Sequence, residues 1–159
     1  MRFSDFSKYE DPANEIFLAA LDLVYNKDDG STEHIDRLSE ESSIVYLLWC
    51  FDNEIHNGGF DQLFINSLGN HCLKILSSLS KLQAKNSHRL LSSALNWFPN
   101  SFPSQDRVTR YKEYEKFSDN AEYQKQIEIL DQEFYLYEDK LSSLINDYVT
   151  FNPNAKIET

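Results

Sequence analysis

The sequence predicts an all-α protein: a single-domain helical bundle of about six to eight helices with a long C-terminal helix or helix pair. Apolar residues recur at three- and four-residue intervals through most of the 159-residue chain, which is the spacing of one helix face. No segment alternates apolar and polar residues as a half-buried strand does. A regular apolar seam over residues 123–148 predicts the C-terminal helix or helix pair.

The first helix is predicted to run from Pro12 to about Asn26. Asp11 is a favourable N-cap residue, and proline suits the first helical position because it has no N–H to leave unsatisfied. Its inward face consists of Ile16, Phe17, Ala20, Leu21 and Val24. The polar segment 28–38, which contains a glycine, ends the helix and forms a loop.

The second helix is predicted to begin after Ser39, an N-cap residue, with Glu40 and Glu41 at its positive N-terminal end. Its core stripe consists of Ile44, Leu48, Phe51 and Ile55. Gly58 and Gly59 are expected to end it, since glycine adopts left-handed backbone angles at little cost. A short apolar stripe follows, made of Phe60, Leu63, Phe64 and Leu68 and closed by Gly69.

Three further helices are predicted before the C-terminal seam. Their apolar residues are Cys72, Ile75, Leu76 and Leu79 in the first, Leu90, Leu91, Ala94, Leu95 and Phe98 in the second, and Val108, Tyr111 and Tyr114 in the third. Pro99 is expected to end the second of these helices, and Ser104 to begin the third. Asp119 with Glu122 is interpreted as a variant capping box for the helix that follows.

The C-terminal seam alternates spacings of four and three residues. Its members are Tyr123, Ile127, Leu130, Phe134, Tyr137, Leu141, Leu144 and Tyr148. This 3.5-residue period predicts one long helix, or two helices nearly in phase. We expect it to pack within the domain rather than between chains, because so short a seam usually closes a bundle.

Length and composition predict one domain over residues 1–159. Eleven Phe, nine Tyr and two Trp exclude a disordered chain. No apolar run approaches the roughly 20 residues that span a bilayer, and the polar N-terminus is unlike a signal peptide. Cys50 and Cys72 lie in apolar helical patterns, so we expect buried thiols rather than a disulfide or a metal site. These features predict a soluble cytoplasmic protein with no membrane contact.

The formal net charge of −11 is unevenly distributed. Residues 1–70 contain 14 acidic and 4 basic residues, whereas residues 71–110 contain 1 acidic and 6 basic residues. Residues 111–159 are acidic again, with 11 acidic and 5 basic residues. Because such a protein repels phosphates, we expect no direct nucleic-acid binding and a basic protein as partner.

Motifs for catalysis are absent, so we do not expect an enzyme. The chain has no G-x-S-x-G motif and no phosphate-binding loop, and neither cysteine has a histidine at motif spacing. Asp52 and His56 are four residues apart on one helix face, but two ligands do not make a metal site. We therefore expect no catalytic residues, no bound metal and no cofactor.

Four amide side chains surround the glycine pair: Asn53, Asn57, Gln62 and Asn66. We interpret them as a latch that holds the second helix against the short apolar segment after it, because amides near turns bond to local backbone and cap helices. Ligand binding is the alternative interpretation.

The acidic residues are the stronger indication of function. Carboxylates three or four positions apart on a helix lie roughly 5–6 Å from each other, so a row of them can imitate a phosphate backbone. The candidate partner-binding residues are Asp22, Asp28, Asp29, Glu33, Asp36, Glu40, Glu41, Glu128, Asp131, Glu138 and Asp139. A merely solvated surface is the alternative.

The segment FDNEIHNGGFDQLFINSLG, residues 51–69, resembles the signature of a bacterial all-α family whose best-known member is a DNA-mimic protein. The matching residues are Asn57, Gly58, Gly59, Phe60, Gln62, Phe64, Asn66, Ser67 and Gly69. The resemblance covers about residues 40–150 and implies an α-helical domain. For the mimic it also implies an acidic surface that occupies the DNA-binding face of a transcription factor. The basic segment 71–110 would interrupt such a surface.

We therefore expect an acidic protein-interaction module, a DNA mimic that binds a DNA-binding protein or transcription factor and blocks its access to DNA. One alternative is an immunity or antitoxin-type protein that neutralises a basic toxin. Another is a small-ligand protein or enzyme built around His56, Asp61 and the asparagine-rich turn. The sequence leaves open whether the chain forms a homodimer.

Overall fold

The computed structural model describes residues 12–24 and 34–155. Within these two ranges it contains seven α-helices and no strand, which confirms the predicted all-α fold. The helices are α1 (Pro12–Val24), α2 (Glu40–Ile65), α3 (Cys72–Lys81), α4 (Lys85–Leu95), α5 (Arg107–Tyr114), α6 (Ala121–Tyr135) and α7 (Leu141–Phe151). Short 3-10 helices are Ile35–Arg37, Ser67–His71, Pro99–Ser101 and Pro153–Ala155. Among the helices so described, none is long and apolar enough to cross a membrane.

The contacts divide the chain into two compact units. Of the described residues, the first contains 12–24, 34–46 and 145–155, and the second contains 47–144. Helices α2 and α7 each contribute residues to both units.

The first unit is built around the buried face of α1, which consists of Ala13, Ile16, Ala20 and Val24. Phe17 stacks on Tyr46 with ring centroids 5.9 Å apart. The Ser39 hydroxyl accepts a hydrogen bond from the Ser42 N–H at 3.1 Å, which confirms the predicted N-cap of α2. The Ser42 hydroxyl donates to the Ala155 carbonyl at 3.1 Å and so joins the start of α2 to the C-terminal segment.

In the second unit, α2 supplies a fully buried apolar stripe that ends in an aromatic cluster. Phe51 packs against Phe60 and edge-on against Phe134, with ring centroids 6.5 and 5.6 Å apart. Phe60 also meets Phe134 edge-on at 6.2 Å. The predicted apolar stripe after the glycine pair, Phe60, Leu63, Phe64 and Leu68, is buried throughout.

A second aromatic cluster in this unit is centred on Phe117. Its ring contacts those of Trp97, Phe98, Tyr114 and Tyr123 at centroid distances between 4.9 and 6.0 Å. Such aromatic pairs each contribute about 0.5–1.5 kcal/mol beyond the area they bury. The cluster ties the segment after α4 to α5 and α6, while α4 itself packs against α3 and α6.

The sequence predicts that the C-terminal seam forms either one long helix or two helices nearly in phase. The structure has two. Helix α6 ends at Tyr135, and α7 begins at Leu141. Between them, Tyr137 and Lys140 have φ angles of 54° and 46°, which no α-helix accommodates. This break rotates the second helix, so α7 buries Leu141, Ile145 and Val149, and the predicted seam residues Leu144 and Tyr148 are only half-buried.

Two predicted helix starts are wrong by one or two residues. Helix α6 is capped by Asn120 rather than Asp119: the Asn120 side chain accepts the N–H groups of Glu122 and Tyr123. Helix α5 does not begin at Ser104, because Asp106 is its N-cap and accepts the Thr109 N–H at 2.8 Å. This start leaves Val108 and Tyr111 exposed and buries Arg110 instead.

Candidate interaction surface and the glycine turn

The glycine pair turns the chain sharply inside α2. Gly58 has an extended φ of −163°, and Gly59 has a φ of 70° with ψ of −170°. A Cβ at Gly59 would lie 2.3 Å from Oδ2 of Asp131. The same carboxylate accepts the Phe60 N–H at 2.9 Å. Glycine is therefore required at position 59 both by the left-handed backbone and by the close approach of Asp131.

Two of the predicted latch amides converge on one carboxylate. Gln62 donates to Oε2 of Glu54 at 2.5 Å, and Asn66 donates to both Glu54 oxygens at 3.2 and 3.1 Å. Glu54 lies before the glycine pair and the two amides lie after it, so these bonds tie the two parts of α2 together. Among the other motif residues, Asn57 and Ser67 are exposed and Gly69 is buried.

A buried arginine binds the end of α2. Arg110 has no exposed surface. Its Nε donates to the Phe64 carbonyl and its Nη2 to the Asn66 carbonyl, both at 2.8 Å. Its Nη1 donates to the Asn70 side chain and to the Ser104 carbonyl, at 2.8 and 2.9 Å. The Phe64 carbonyl lies in the last turn of α2, where carbonyl oxygens have no N–H of a following helical turn to accept. Burial lowers the pKa of the Arg110 guanidinium.

Gly69 belongs to the same arrangement. A Cβ there would lie 2.5 Å from the Leu63 carbonyl oxygen and 2.7 Å from Nε of Arg110. The motif glycine thus leaves room for the arginine to reach the end of α2. This role cannot be predicted from local sequence, because an arginine between Val108 and Tyr111 ordinarily lies on the surface.

The proposed enzyme or ligand site around His56 and Asp61 is occupied by internal contacts. Nδ1 of His56 lies 2.8 Å from the Asp52 carbonyl oxygen and 3.2 Å from its Oδ1. Tyr137 donates to Oδ2 of Asp52 at 2.8 Å, and burial raises the pKa of that carboxyl. Asp61 accepts a short hydrogen bond from the Tyr123 hydroxyl. In residues 12–24 and 34–155, no three His, Cys, Asp or Glu side chains are placed to hold a metal.

The two cysteines are not paired with each other. Cys72 is buried, and burial raises the pKa of its thiol to about 12, so it is not a thiolate at neutral pH. Cys50 is half-buried in α2.

The candidate acidic residues fall into three groups. The exposed ones are Asp22, Asp36, Glu40, Glu128 and Glu138, and Glu41 is half-exposed. Asp131 and Asp139 are half-buried and accept backbone N–H groups, Asp131 at the glycine turn and Asp139 from Asn86 and Ser87 at the start of α4. Asp28, Asp29 and Glu33 lie outside the described residues.

Of the basic residues in segment 71–110, Arg110 is withdrawn from the surface. Arg89 is exposed and forms an ion pair with Glu133 at 2.5 Å. Arg107 is also exposed, and its Nε donates to the Ile65 carbonyl at 2.8 Å.

These features define a small acidic all-α protein organised around a glycine turn and a buried arginine. The chain belongs to the DMP19-like protein family, whose model matches residues 36–152. The matched range agrees with the predicted extent of about 40–150. No curated protein and no solved structure matches the chain.

The left-handed Gly59 gives a first prediction. We expect Gly59→Ala to lower the free energy of unfolding by at least about 1–2 kcal/mol, because a Cβ there is strained and meets the Asp131 carboxylate. Gly58→Ala is the comparison variant: its φ is extended, so any loss there comes from displacing the Gln62 side chain from Glu54 and not from backbone strain. Urea denaturation measures both. Unchanged stability of Gly59→Ala would show that the turn does not depend on Gly59.

The buried guanidinium gives a second prediction. Arg110→Met retains an unbranched apolar stem but is shorter and removes every donor, so four oxygen acceptors lose the arginine, and of these the Asn66 carbonyl still accepts the Gly69 N–H. We expect a loss of about 3 kcal/mol or more in the free energy of unfolding. Arg107→Met, at an exposed arginine with one such bond, should cost much less. Similar small losses for both variants in urea denaturation would contradict the role assigned to Arg110.

Asp131 gives a third prediction, for pH dependence. Burial is the main cause that raises the pKa of Asp131 from 3.8 to about 6, and the Phe60 N–H opposes it. The folded state therefore holds this proton more tightly than the unfolded state. The resulting stabilisation is complete below about pH 4 and is lost as the pH rises through about 6.

Asp131→Asn retains an oxygen that can accept the Phe60 N–H but does not titrate. Between pH 4 and 6.5, the free energy of unfolding of the wild-type protein should therefore decrease relative to that of this variant. Urea denaturation at several pH values measures the difference. A difference that stays constant across this range would show that the pKa of Asp131 is not raised.

Proposed function

We propose that the protein is an acidic protein-interaction module that acts as a DNA mimic. In this proposal it binds a basic DNA-binding protein, such as a transcription factor, in the cytoplasm and blocks that protein's access to DNA. The observation that carries the proposal is membership of the DMP19-like protein family together with a net charge of −11.

The placement of the carboxylates supports this proposal. Five of the candidate acidic residues are exposed on helices or beside them, where their charge can act on a partner. A surface of one sign attracts a basic partner over a distance and accelerates its association at low salt. The same charge repels DNA itself, so the partner and not the nucleic acid is the expected target.

The burial of Arg110 also supports it, because this guanidinium is withdrawn from the surface that a cationic partner would meet. The Arg89–Glu133 ion pair removes one exposed charge of each sign and so leaves the balance unchanged.

Affinity capture tests the function. The tagged protein, incubated at low salt with a lysate of its native host, should retain a DNA-binding protein that mass spectrometry identifies. The purified partner should then release its DNA in a gel-shift assay as the protein is added. Because exposed charges are screened by salt, its affinity for the protein should fall as the salt concentration rises.

Charge-neutralised variants show whether the exposed carboxylates bind the partner. We expect Glu128→Gln/Glu138→Gln or Asp22→Asn/Asp36→Asn to weaken the interaction, and Lys85→Gln, at an exposed lysine, not to weaken it. Failure to recover any nucleic-acid-binding protein would contradict the proposal. Recovery of a toxin whose activity is inhibited would instead favour the immunity or antitoxin function.

A further inference from the structure

A surface pocket lies between the start of α3 and the segment that leads into α5. It has a volume of about 270 Å³ and is lined by Asn70, His71, Leu73, Lys74 and Gln105, which we call the Lys74 pocket. None of these five residues is acidic, and Lys74 supplies a full positive charge. A pocket of this composition favours an anion, although the chain as a whole has a net charge of −11.

The side-chain amide of Asn70 is held in one orientation by the buried arginine. Its Oδ1 accepts a hydrogen bond from Nη1 of Arg110 at 2.8 Å. Because arginine has donors only, the atom that faces Arg110 must be the oxygen, so the position of the Nδ2 donor is fixed as well. In residues 12–24 and 34–155, no acceptor is bonded to this Nδ2. A donor whose orientation is set before binding loses little conformational freedom when a ligand arrives.

Two further donors at the Lys74 pocket have no acceptor within the part of the chain that the structure describes. The Lys74 ammonium forms no ion pair there, and the Gln105 side-chain amide forms no hydrogen bond. With Asn70, they bring one charged and two neutral donor groups to the same pocket. A phosphate monoester has three strong acceptor oxygens and a charge of about −1.5 to −2 at pH 7. It therefore matches this donor set better than a carboxylate, which has two oxygens and one charge.

The carboxylates near Arg110 belong to α5 and its N-cap rather than to the pocket lining. Asp106, the single acidic residue of segment 71–110, accepts the N–H and the hydroxyl of Thr109 at 2.8 and 2.7 Å. Glu113 accepts a backbone N–H at 3.0 Å. Arg107 places a positive charge in the same region. Carboxylates elsewhere on the chain act weakly on the pocket, because the Debye length is about 8 Å at physiological ionic strength.

A second surface pocket of similar size provides a comparison. It has a volume of about 260 Å³ and also contains a lysine, a histidine and a glutamine, which are Lys85, His88 and Gln83. We call it the Lys85 pocket. There, Nε2 of Gln83 already donates to the Ser80 carbonyl at 3.1 Å. The Asp139 carboxylate also lies close to Lys85, because it accepts the N–H groups of the next two residues. The Lys85 pocket is therefore less suited to an anion.

We propose that the Lys74 pocket binds a phosphate group. Lys74, Asn70 and Gln105 donate hydrogen bonds to its oxygens, and Arg110 is a positioning residue that holds the Asn70 amide. The volume lies below the about 300–1,000 Å³ of pockets for drug-sized ligands, so it suits a single phosphate group. This group is either free phosphate or the phosphoryl group of a phosphorylated protein. The inference does not depend on the proposed function.

A phosphate titration followed by proton–nitrogen correlation spectra of the isotope-labelled full chain tests the site. Sodium phosphate replaces sodium chloride at constant pH and ionic strength, so that general screening does not change. We expect the side-chain NH₂ signals of Asn70 and Gln105 to shift saturably, with a dissociation constant in the millimolar range, and that of Gln83 to stay in place. Sodium acetate, titrated in the same way, should bind several-fold more weakly.

Substitutions at the two pockets locate the binding. Lys74→Gln should weaken phosphate binding about tenfold or more, because it removes a hydrogen bond to a charged group. Asn70→Asp retains an oxygen for Arg110 but replaces the Nδ2 donor with a negatively charged oxygen, and it should abolish binding. Lys85→Gln and Gln83→Glu are the matched controls, since they make the same changes of charge at the Lys85 pocket, and binding should be unchanged. The spectra also show whether each variant is folded.

Three results would overturn the inference. They are the lack of a saturable shift at Asn70 and Gln105, equal effects of Lys74→Gln and Lys85→Gln, and acetate binding as tight as that of phosphate. A short phosphoserine peptide, with its unphosphorylated form as control, then distinguishes the two sources of the phosphate group. Tighter binding of this peptide than of inorganic phosphate assigns the pocket to a phosphorylated protein. Equal or weaker binding assigns it to free phosphate.

Discussion

The contact on which the second unit most depends is the buried guanidinium of Arg110. A helix that ends inside a protein leaves carbonyl oxygens without partners, and each one costs free energy unless a donor reaches it. Arg110 supplies donors to the Phe64 and Asn66 carbonyls and also binds Asn70 and Ser104. One side chain thus satisfies the end of α2 and fixes the positions of the segment after it and of α5. Gly69 fits this arrangement because any larger residue would displace the arginine.

The acidic residues of this protein have two separate uses. Glu54, Asp131 and Asp139 accept hydrogen bonds from amide side chains or backbone N–H groups and so stabilise the turn and the start of α4. Glu128 and Glu138 are exposed and contribute to the surface potential. The formal net charge therefore overstates the negative charge on the surface, because some carboxylates are engaged inside the fold. The burial of Arg110 partly offsets this, because it removes one positive charge from the surface.

The helices and most of the core could be predicted from apolar spacing, because that spacing depends on local sequence. The break between α6 and α7 does not follow from apolar spacing, because the apolar seam continues through Tyr137 and only the left-handed angles there rotate α7. Asp119 and Asn120 are both good N-caps, so local sequence does not distinguish them. The burial of Arg110 depends on carbonyl acceptors at Phe64 and Asn66, which lie more than 40 positions earlier in the chain. Composition identifies acidic residues but does not distinguish a surface carboxylate from one that accepts backbone N–H groups.

The glycine turn also has a consequence for the order of folding. Helices form from local contacts within about a microsecond. The Phe60 N–H, however, is bonded to a carboxylate 71 positions later, and Arg110 lies 46 positions after Phe64. During synthesis, α2 therefore leaves the ribosome well before the residues that fix its turn and its end. Until α5 and α6 emerge, the apolar residues on both sides of Gly59 lack their final partners, which makes this interval the period in which the nascent chain is most exposed to aggregation.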